Sequence, residues 1–205
     1  MIKDTTIKIA KDNDQKRQSF AFSFRRYERA MANGFYFEAL WILYAMLENR
    51  MSALLCHLGF TKKENRQNVT GNQKAKWLVR TILQLPEGKT NYSFNKLSGK
   101  IRCVTMALKW AREDKTGLSK YEETVKNTLI HFAEDESFIE ALEYLNDKWI
   151  NMRNQLTHAL LNKDLIAASE AAKALAEEGY HPIRVIDNAA DYIKNRNIRR
   201  RFNIQ

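Results

Sequence analysis

The apolar segment at residues 35–58 constrains the fold of this chain more than any other feature. It reads FYFEALWILYAMLENRMSALLCHL and includes the charged residues Glu38, Glu48 and Arg50. Its longest uncharged run, residues 39–47, is far shorter than the roughly 20 residues that span a bilayer. Helices that are apolar on nearly every side are buried in protein interiors. The segment therefore predicts a core helix at the centre of a helical bundle.

Residues that break helices are few in the rest of the chain. Only 2 prolines and 7 glycines occur among 205 residues. Leu, Ala, Lys, Glu and Asn are abundant and valine is scarce, which favours helix over sheet. Gly59 stands where a left-handed helix C-cap is expected, Pro86 is expected to stop a helix, and Pro182 to begin one. The predicted helices cover residues 19–34, 35–59, 73–85, 101–114, 118–135, 136–162, 163–179 and 181–205.

These patterns predict an all-α fold, an irregular helical bundle of about six to eight helices. The length fits a single domain over residues 1–205, which ends in a basic C-terminal tail at residues 194–205. That tail is expected to be mobile.

The cysteines and the N-terminal residues indicate a protein of a reducing cellular compartment. Cys56 and Cys103 are far apart in the sequence, with no spacing that predicts a metal site or a disulfide framework. Residues 1–15 have no apolar core between their charges, so no secretory signal is expected. No HExxH motif, paired Cys/His spacing or glycine-rich phosphate loop occurs. We predict a cytoplasmic protein with no membrane association, no metal and no cofactor.

The positive charge is concentrated in the middle of the chain. The formal net charge is +10, and residues 61–120 alone carry 14 basic and 4 acidic residues, which is the same excess. Such a concentration favours a polyanionic partner, most simply RNA, although basic runs on helices are also typical of solvated faces.

Two basic segments are candidate RNA-binding surfaces. The first is a turn-rich loop at residues 86–100, and the second is the C-terminal tail. Trp77 and Trp110 also lie among basic residues, but their helical spacing favours a place in the core. Aromatic rings and cations in a loop can stack on bases and follow the backbone. The candidate RNA-binding residues are Lys89, Tyr92, Phe94, Lys96, Lys100, Arg199, Arg200 and Arg201.

The hexapeptide RNQLTH at residues 153–158 is the candidate catalytic motif. Four residues separate Arg153 from His158, and Asn154 directly follows the arginine. This resembles the signature of the HEPN superfamily: an arginine, four to six residues, then a histidine, usually with a polar residue beside the arginine. Arg50 and His57 also fit the bare spacing, but an apolar methionine follows that arginine.

The residue types suit cleavage of RNA without a metal. A histidine can take the proton from a ribose 2′-hydroxyl or protonate the leaving oxygen, and an arginine can stabilise the phosphate. The resemblance to HEPN proteins implies catalytic roles for Arg153, Asn154 and His158. It also implies a supporting role for an acidic residue of the early core helix, Glu38 or Glu48.

The spacing of the motif favours a dimer. At about 100° per residue, Asn154 and His158 share one face of a helix, whereas Arg153 and His158 diverge by about 140°. Two motifs that face each other across a two-fold axis would supply both groups to one phosphate, and HEPN nucleases, which this chain resembles, commonly act as dimers. We therefore predict a homodimer.

Two functions remain open from the sequence. The first is a metal-independent HEPN-like endoribonuclease; the resemblance implies a role as a toxin or anti-phage defence effector, with a possible antitoxin or regulatory partner. The second is a non-catalytic HEPN-like helical module that binds RNA or a partner protein. In that case the motif would be a hydrogen-bonded structural network, anchored by Glu38 or Glu48.

Overall fold

The computed structural model describes residues 13–86, 92–159 and 164–204, and the all-α prediction is confirmed. The only extended pairing in those ranges is two isolated bridges, Thr61 with Val69 and Asn68 with Ser93. The helical elements are α1 (Asn13–Ala32), α2 (Tyr36–His57), α3 (Gln73–Leu83), α4 (Leu97–Arg112), α5 (Lys120–Ala133), α6 (Glu136–Glu143), a π-helical turn (Tyr144–Trp149), α7 (Ile150–Ala159), α8 (Leu165–Asn195) and α9 (Ile198–Arg201).

Helices α2 and α8 form the centre of the bundle. They run parallel, because Lys173 lies over the ring of Tyr36 at one end while Arg50 pairs with Asp187 further along both helices. The apolar face of α2 is buried throughout, as its sequence predicts. Burial of so much apolar surface in one connected core is the main stabilising contribution to this fold.

The predicted break between residues 179 and 181 is wrong, because α8 continues through Pro182 for 31 residues. Proline in a helix interior removes one backbone donor, and neighbouring packing can compensate for that loss. Gly179 of the same helix has a packing role, because its missing Cβ leaves room for Trp149. A Cβ at Gly179 would lie 2.7 Å from Cε2 of Trp149 and closer still to its Nε1. The glycine therefore serves close helix packing rather than a helix end.

Gly59 ends α2 as predicted. Its φ of 86° lies in the left-handed region, its amide donates to the Cys56 carbonyl, and the amide of Phe60 donates to Leu55. These two bonds form a Schellman motif, which satisfies carbonyls that the helix itself leaves unpaired.

The expected mobile tail is folded over the part of it that the structure describes, residues 194–204. Ile198 and Ile204 are buried at 1% and 6% exposure, and Ile204 packs beside Gly59. Nη1 of Arg199 donates to the backbone carbonyls of Cys56 and Thr61 at 3.1 Å and 2.6 Å. The apolar anchors and this arginine fasten the segment to the C-terminal end of α2.

The predicted helix at residues 136–162 contains an irregularity that positions the motif. The π-helical turn separates α6 from α7 and ends at Trp149, which is fully buried. Such turns insert an extra residue into a helix and change which side chains face inward.

Across the described ranges, no helix combines the length and the apolar character needed to cross a membrane.

Candidate functional site

Arg153 of the motif lies between two aromatic rings of α2. Its Cζ is 4.1 Å from the ring centre of Trp41 and 4.0 Å from that of Tyr44. Trp41 and Tyr44 are three residues apart, so they share a face of α2 and both rings reach the same guanidinium. We call Trp41 and Tyr44 the aromatic clamp. Cation–π contacts of this kind hold an arginine side chain in one orientation without neutralising its charge.

The aromatic clamp is anchored in the core through Trp149. The rings of Tyr44 and Trp149 are stacked, with centres 6.5 Å apart and planes 15° apart. Trp149 Nε1 donates to the Leu175 carbonyl of α8 at 2.9 Å. The position of the Arg153 guanidinium therefore depends on contacts among α2, the π-helical turn and α8.

The charge of Arg153 is not neutralised by any carboxylate in the described part of the chain. Among those residues, its one hydrogen-bonding side-chain partner is Asn154, whose Oδ1 accepts from Nη1 at 3.0 Å. The backbone carbonyl of Arg153 accepts from the Thr157 hydroxyl at 3.0 Å. A held, half-buried guanidinium without a counter-ion is suited to binding an anion.

His158 and Asn154 are both exposed, one helical turn apart on the same face of α7. Within the described ranges, no hydrogen bond or ion pair occupies the His158 imidazole. The Arg153 guanidinium donates a hydrogen bond to Asn154. It therefore lies beside a residue of the helix face that carries His158. The exposed His158 imidazole is therefore accessible to a ligand.

In the described residues, neither Glu38 nor Glu48 makes a hydrogen bond or an ion pair with the motif. Glu38 accepts from Arg26 at 2.8 Å, and Glu48 pairs with Lys100 at 3.0 Å. The residues that support Arg153 are instead Trp41 and Tyr44, which the sequence analysis missed. Their three-residue spacing is visible in the sequence, but their pairing with a residue more than 100 positions away is not.

The other arginine and histidine at motif spacing have structural environments. Arg50 pairs with Asp187 at 2.7 Å and approaches Asp191 at 3.6 Å. Burial, together with the nearby cations of Arg66, Lys194 and Arg199, lowers the pKa of His57 to about 4. This arginine is neutralised and this histidine resists protonation, so the pair lacks the properties seen at residues 153–158.

We expect His57 to make the fold sensitive to acid. The pKa of His57 is about 4 in the folded protein and about 6.5 in the unfolded chain. The unfolded chain therefore binds the proton first, and the free energy of unfolding decreases as the pH falls from 6.5 towards 4. Between pH 7 and pH 5, His57 should account for a loss of about 1–2 kcal/mol. Urea unfolding at both pH values, compared between wild type and His57→Gln, measures this loss; an equal decrease in both proteins would contradict the assignment.

The candidate RNA-binding residues have different environments. Lys96, Arg200 and Arg201 are exposed, Tyr92 is half-buried with its ring edge-on to Phe94, and Lys89 lies outside the described residues. The expectation that Phe94 presents an exposed ring is wrong, because Phe94 is fully buried and its amide donates to the Gln67 carbonyl.

Two further cations are also turned inward. Lys100 lies on the buried face of α4 at 2% exposure, in its ion pair with Glu48. Arg199 binds carbonyls at the end of α2. Both cations satisfy groups within the protein, which makes them poor candidates for phosphate contacts.

The tryptophans of the basic middle segment differ from each other. Trp110 is buried at 4% exposure, as predicted. Trp77 is 62% exposed on α3, so the expectation that it lies in the core is wrong. The apolar face of α3 is formed by neighbouring residues, and Trp77 lies on the opposite face.

No cluster of three or more His, Cys, Asp or Glu side chains in the described ranges is arranged to hold a metal ion. No protein-family model, curated protein or solved structure matches this chain.

Proposed function

We propose that this protein is a metal-independent endoribonuclease of the HEPN type that acts as a homodimer. Arg153 stabilises the scissile phosphate, His158 transfers the proton, and Asn154 orients the two. The single observation that carries the proposal is the Arg153 guanidinium, held by the aromatic clamp beside Asn154 without a neutralising carboxylate in the described residues. A purely structural arginine would be expected to resemble Arg50, which has carboxylate partners.

The proposed reaction is transesterification followed by hydrolysis. The ribose 2′-oxygen attacks phosphorus, its proton passes to a histidine, and the bond from phosphorus to the 5′-oxygen breaks as that oxygen is protonated. The products of this first step are a 2′,3′-cyclic phosphate and a 5′-hydroxyl. In the second step, water attacks the cyclic phosphate and opens it to a terminal phosphomonoester. Arg153 donates to the phosphate oxygens, where charge increases in the transition state.

A second copy of the chain would complete the site. Two histidines are needed if one is the base and another the acid, and each chain contributes one at the motif. Large apolar side chains are exposed around the motif. Trp41, at 49% exposure, contacts Arg153, and Met152, Leu165 and Ile166, at 37%, 64% and 73%, lie close to the motif along the chain. A two-fold contact that covers them would favour association and face the two motifs towards each other.

A cleavage assay with EDTA present tests the proposed function. Mixed-sequence RNA is incubated with the purified protein, and the product ends are identified by mass spectrometry. Metal-independent cleavage that yields cyclic phosphate, or its hydrolysed form, is expected. Intact RNA under conditions where the protein is folded and dimeric would contradict the proposal.

Removal of one ring of the aromatic clamp should weaken catalysis without abolishing it. Trp41→Ala leaves Arg153 with Tyr44 alone, and loss of a cation–π contact of ~0.5–2 kcal/mol predicts a decrease of about 2- to 30-fold in kcat/KM. Phe22→Ala removes another exposed ring, on α1, and serves as the control. Sedimentation velocity on the same variants separates loss of the clamp from loss of the dimer. Wild-type cleavage by Trp41→Ala would show that the clamp does not position Arg153 for the reaction.

A non-catalytic module is the second candidate, and the exposed apolar side chains support it as well as the homodimer. A partner protein could cover Trp41, Leu165 and Ile166 as readily as a second copy of the chain. In that case the protein would bind RNA or its partner and the EDTA assay would yield no products.

A further inference from the structure

The exposed face of α3 forms a basic concavity at its contact with α5. The concavity has a volume of about 520 Å³, and α3 contributes Lys74, Lys76, Trp77 and Arg80 to its lining. Helix α3 has its apolar residues on the opposite face, where Leu78 and its neighbours enter the core. Trp77 is therefore a large ring on the solvent side, 62% exposed among cations.

The charges of this concavity are available to a ligand. In the part of the chain that the structure describes, no carboxylate pairs with Lys74, Lys76 or Arg80. The acidic residue of the lining, Glu122, accepts from the Ser119 amide at 2.8 Å within the capping box that begins α5. The carboxylate caps the helix end but keeps its charge, so the lining has three cations and one anion, a local excess of positive charge.

We propose that this concavity binds single-stranded nucleic acid, with a base stacked on Trp77 and phosphates along Lys74, Lys76 and Arg80. Exposed aromatic rings flanked by cations bind single strands because every base has a π-face and every nucleotide has a phosphate. The half-buried Arg80 lies over the Trp77 ring, with its Cζ 6.0 Å from the ring centre, so a cation is held next to the stacking surface.

The dimensions fit a short single strand. Residues 74 and 80 are six positions apart, which is about 9 Å along a helix. Nucleotides stacked at ~3.4 Å each would place about two to three of them over this length. A single-stranded ligand is favoured over a duplex, because stacking on Trp77 requires the face of an unpaired base.

The site is distinct from the motif on α7, and the proposal stands without cleavage. For that reason the test uses a fluorescein-labelled 2′-O-methyl RNA of 12 nucleotides, which lacks the reactive hydroxyl. Binding to the full chain is measured by fluorescence anisotropy at several salt concentrations. Absence of nuclease activity would leave these measurements unaffected.

Trp77→Ala should raise the Kd for this oligonucleotide about 5- to 150-fold, the effect of removing one base–aromatic stack. Trp77→Phe should recover part of the affinity. Phe22→Ala, which removes a ring of 58% exposure on α1, should bind as wild type does. Unchanged thermal midpoints establish that the variants are folded, as expected for a side chain with this exposure.

A matched strand without bases separates stacking from charge. The wild type should bind the base-containing strand more tightly than the abasic one, and Trp77→Ala should bind the two equally. Joint replacement of Lys74 and Lys76 by alanine should reduce the slope of log Kd against log salt by about 0.7 for each phosphate that the protein no longer neutralises. Equal affinities of the wild type for both strands, or tighter binding of polyglutamate than of RNA, would overturn the proposal.

Discussion

His158→Ala is expected to lower RNA cleavage about 100- to 10,000-fold, the usual contribution of a general acid or base. Because His158 is exposed and bonded to nothing else in the described residues, the variant should fold as the wild type does. Initial rates on a fluorogenic RNA in EDTA, together with thermal midpoints, measure both properties. His181→Ala is the matched control, since it removes another exposed histidine, on α8. Wild-type cleavage by folded His158→Ala would refute the catalytic role.

Mixed dimers can show whether the two chains share a site. Arg153→Ala and His158→Ala proteins are each expected to be inactive alone. If each site takes arginine from one chain and histidine from the other, random mixing yields about a quarter of wild-type activity, because half of the dimers then contain one intact site. No recovery in verified mixed dimers would contradict this arrangement, and would mean that a site needs either the histidines of both chains or the arginine and histidine of one chain.

The fold was predictable from the sequence to the extent that local pattern determines it. The apolar character of residues 35–58 predicts the central position of α2, and Gly59 predicts its end. The continuation of α8 through residues 179–181 was not predictable, since it depends on Trp149 filling the space that a Cβ would take. A glycine and a proline that locally disfavour a helix are overridden there by tertiary packing.

The environments of the charged residues were likewise not predictable from local sequence pattern. The basic pattern of residues 194–204 resembles a solvated tail, but Ile198 and Ile204 have a core to enter and Arg199 has backbone carbonyls at the end of α2 to bind. Whether a cation faces solvent or a helix end depends on what the fold places opposite it. Arg153 illustrates this at the candidate site, because its partners Trp41 and Tyr44 become neighbours only when α7 packs beside α2.

Gly179 connects core packing to the candidate site. A methyl group at this position would press on Trp149, which donates to Leu175 and stacks on Tyr44. Tyr44 in turn holds the Arg153 guanidinium. Displacement of the indole should therefore affect both the stability of the bundle and the position of the arginine.

The effect of Gly179→Ala on the free energy of unfolding is accordingly expected to change sign with the residue at position 149. In the wild-type background it should lower the free energy of unfolding by about 1–3 kcal/mol, since the added methyl overpacks a filled site. In a Trp149→Leu background the methyl meets no indole, and the higher helix propensity of alanine should raise the free energy of unfolding by about 0.5–1 kcal/mol. Urea unfolding followed by circular dichroism, on the four proteins of this cycle, measures both effects. If Gly179→Ala changes the free energy of unfolding in the same direction in both backgrounds, contact with Trp149 does not explain the glycine at this position of α8.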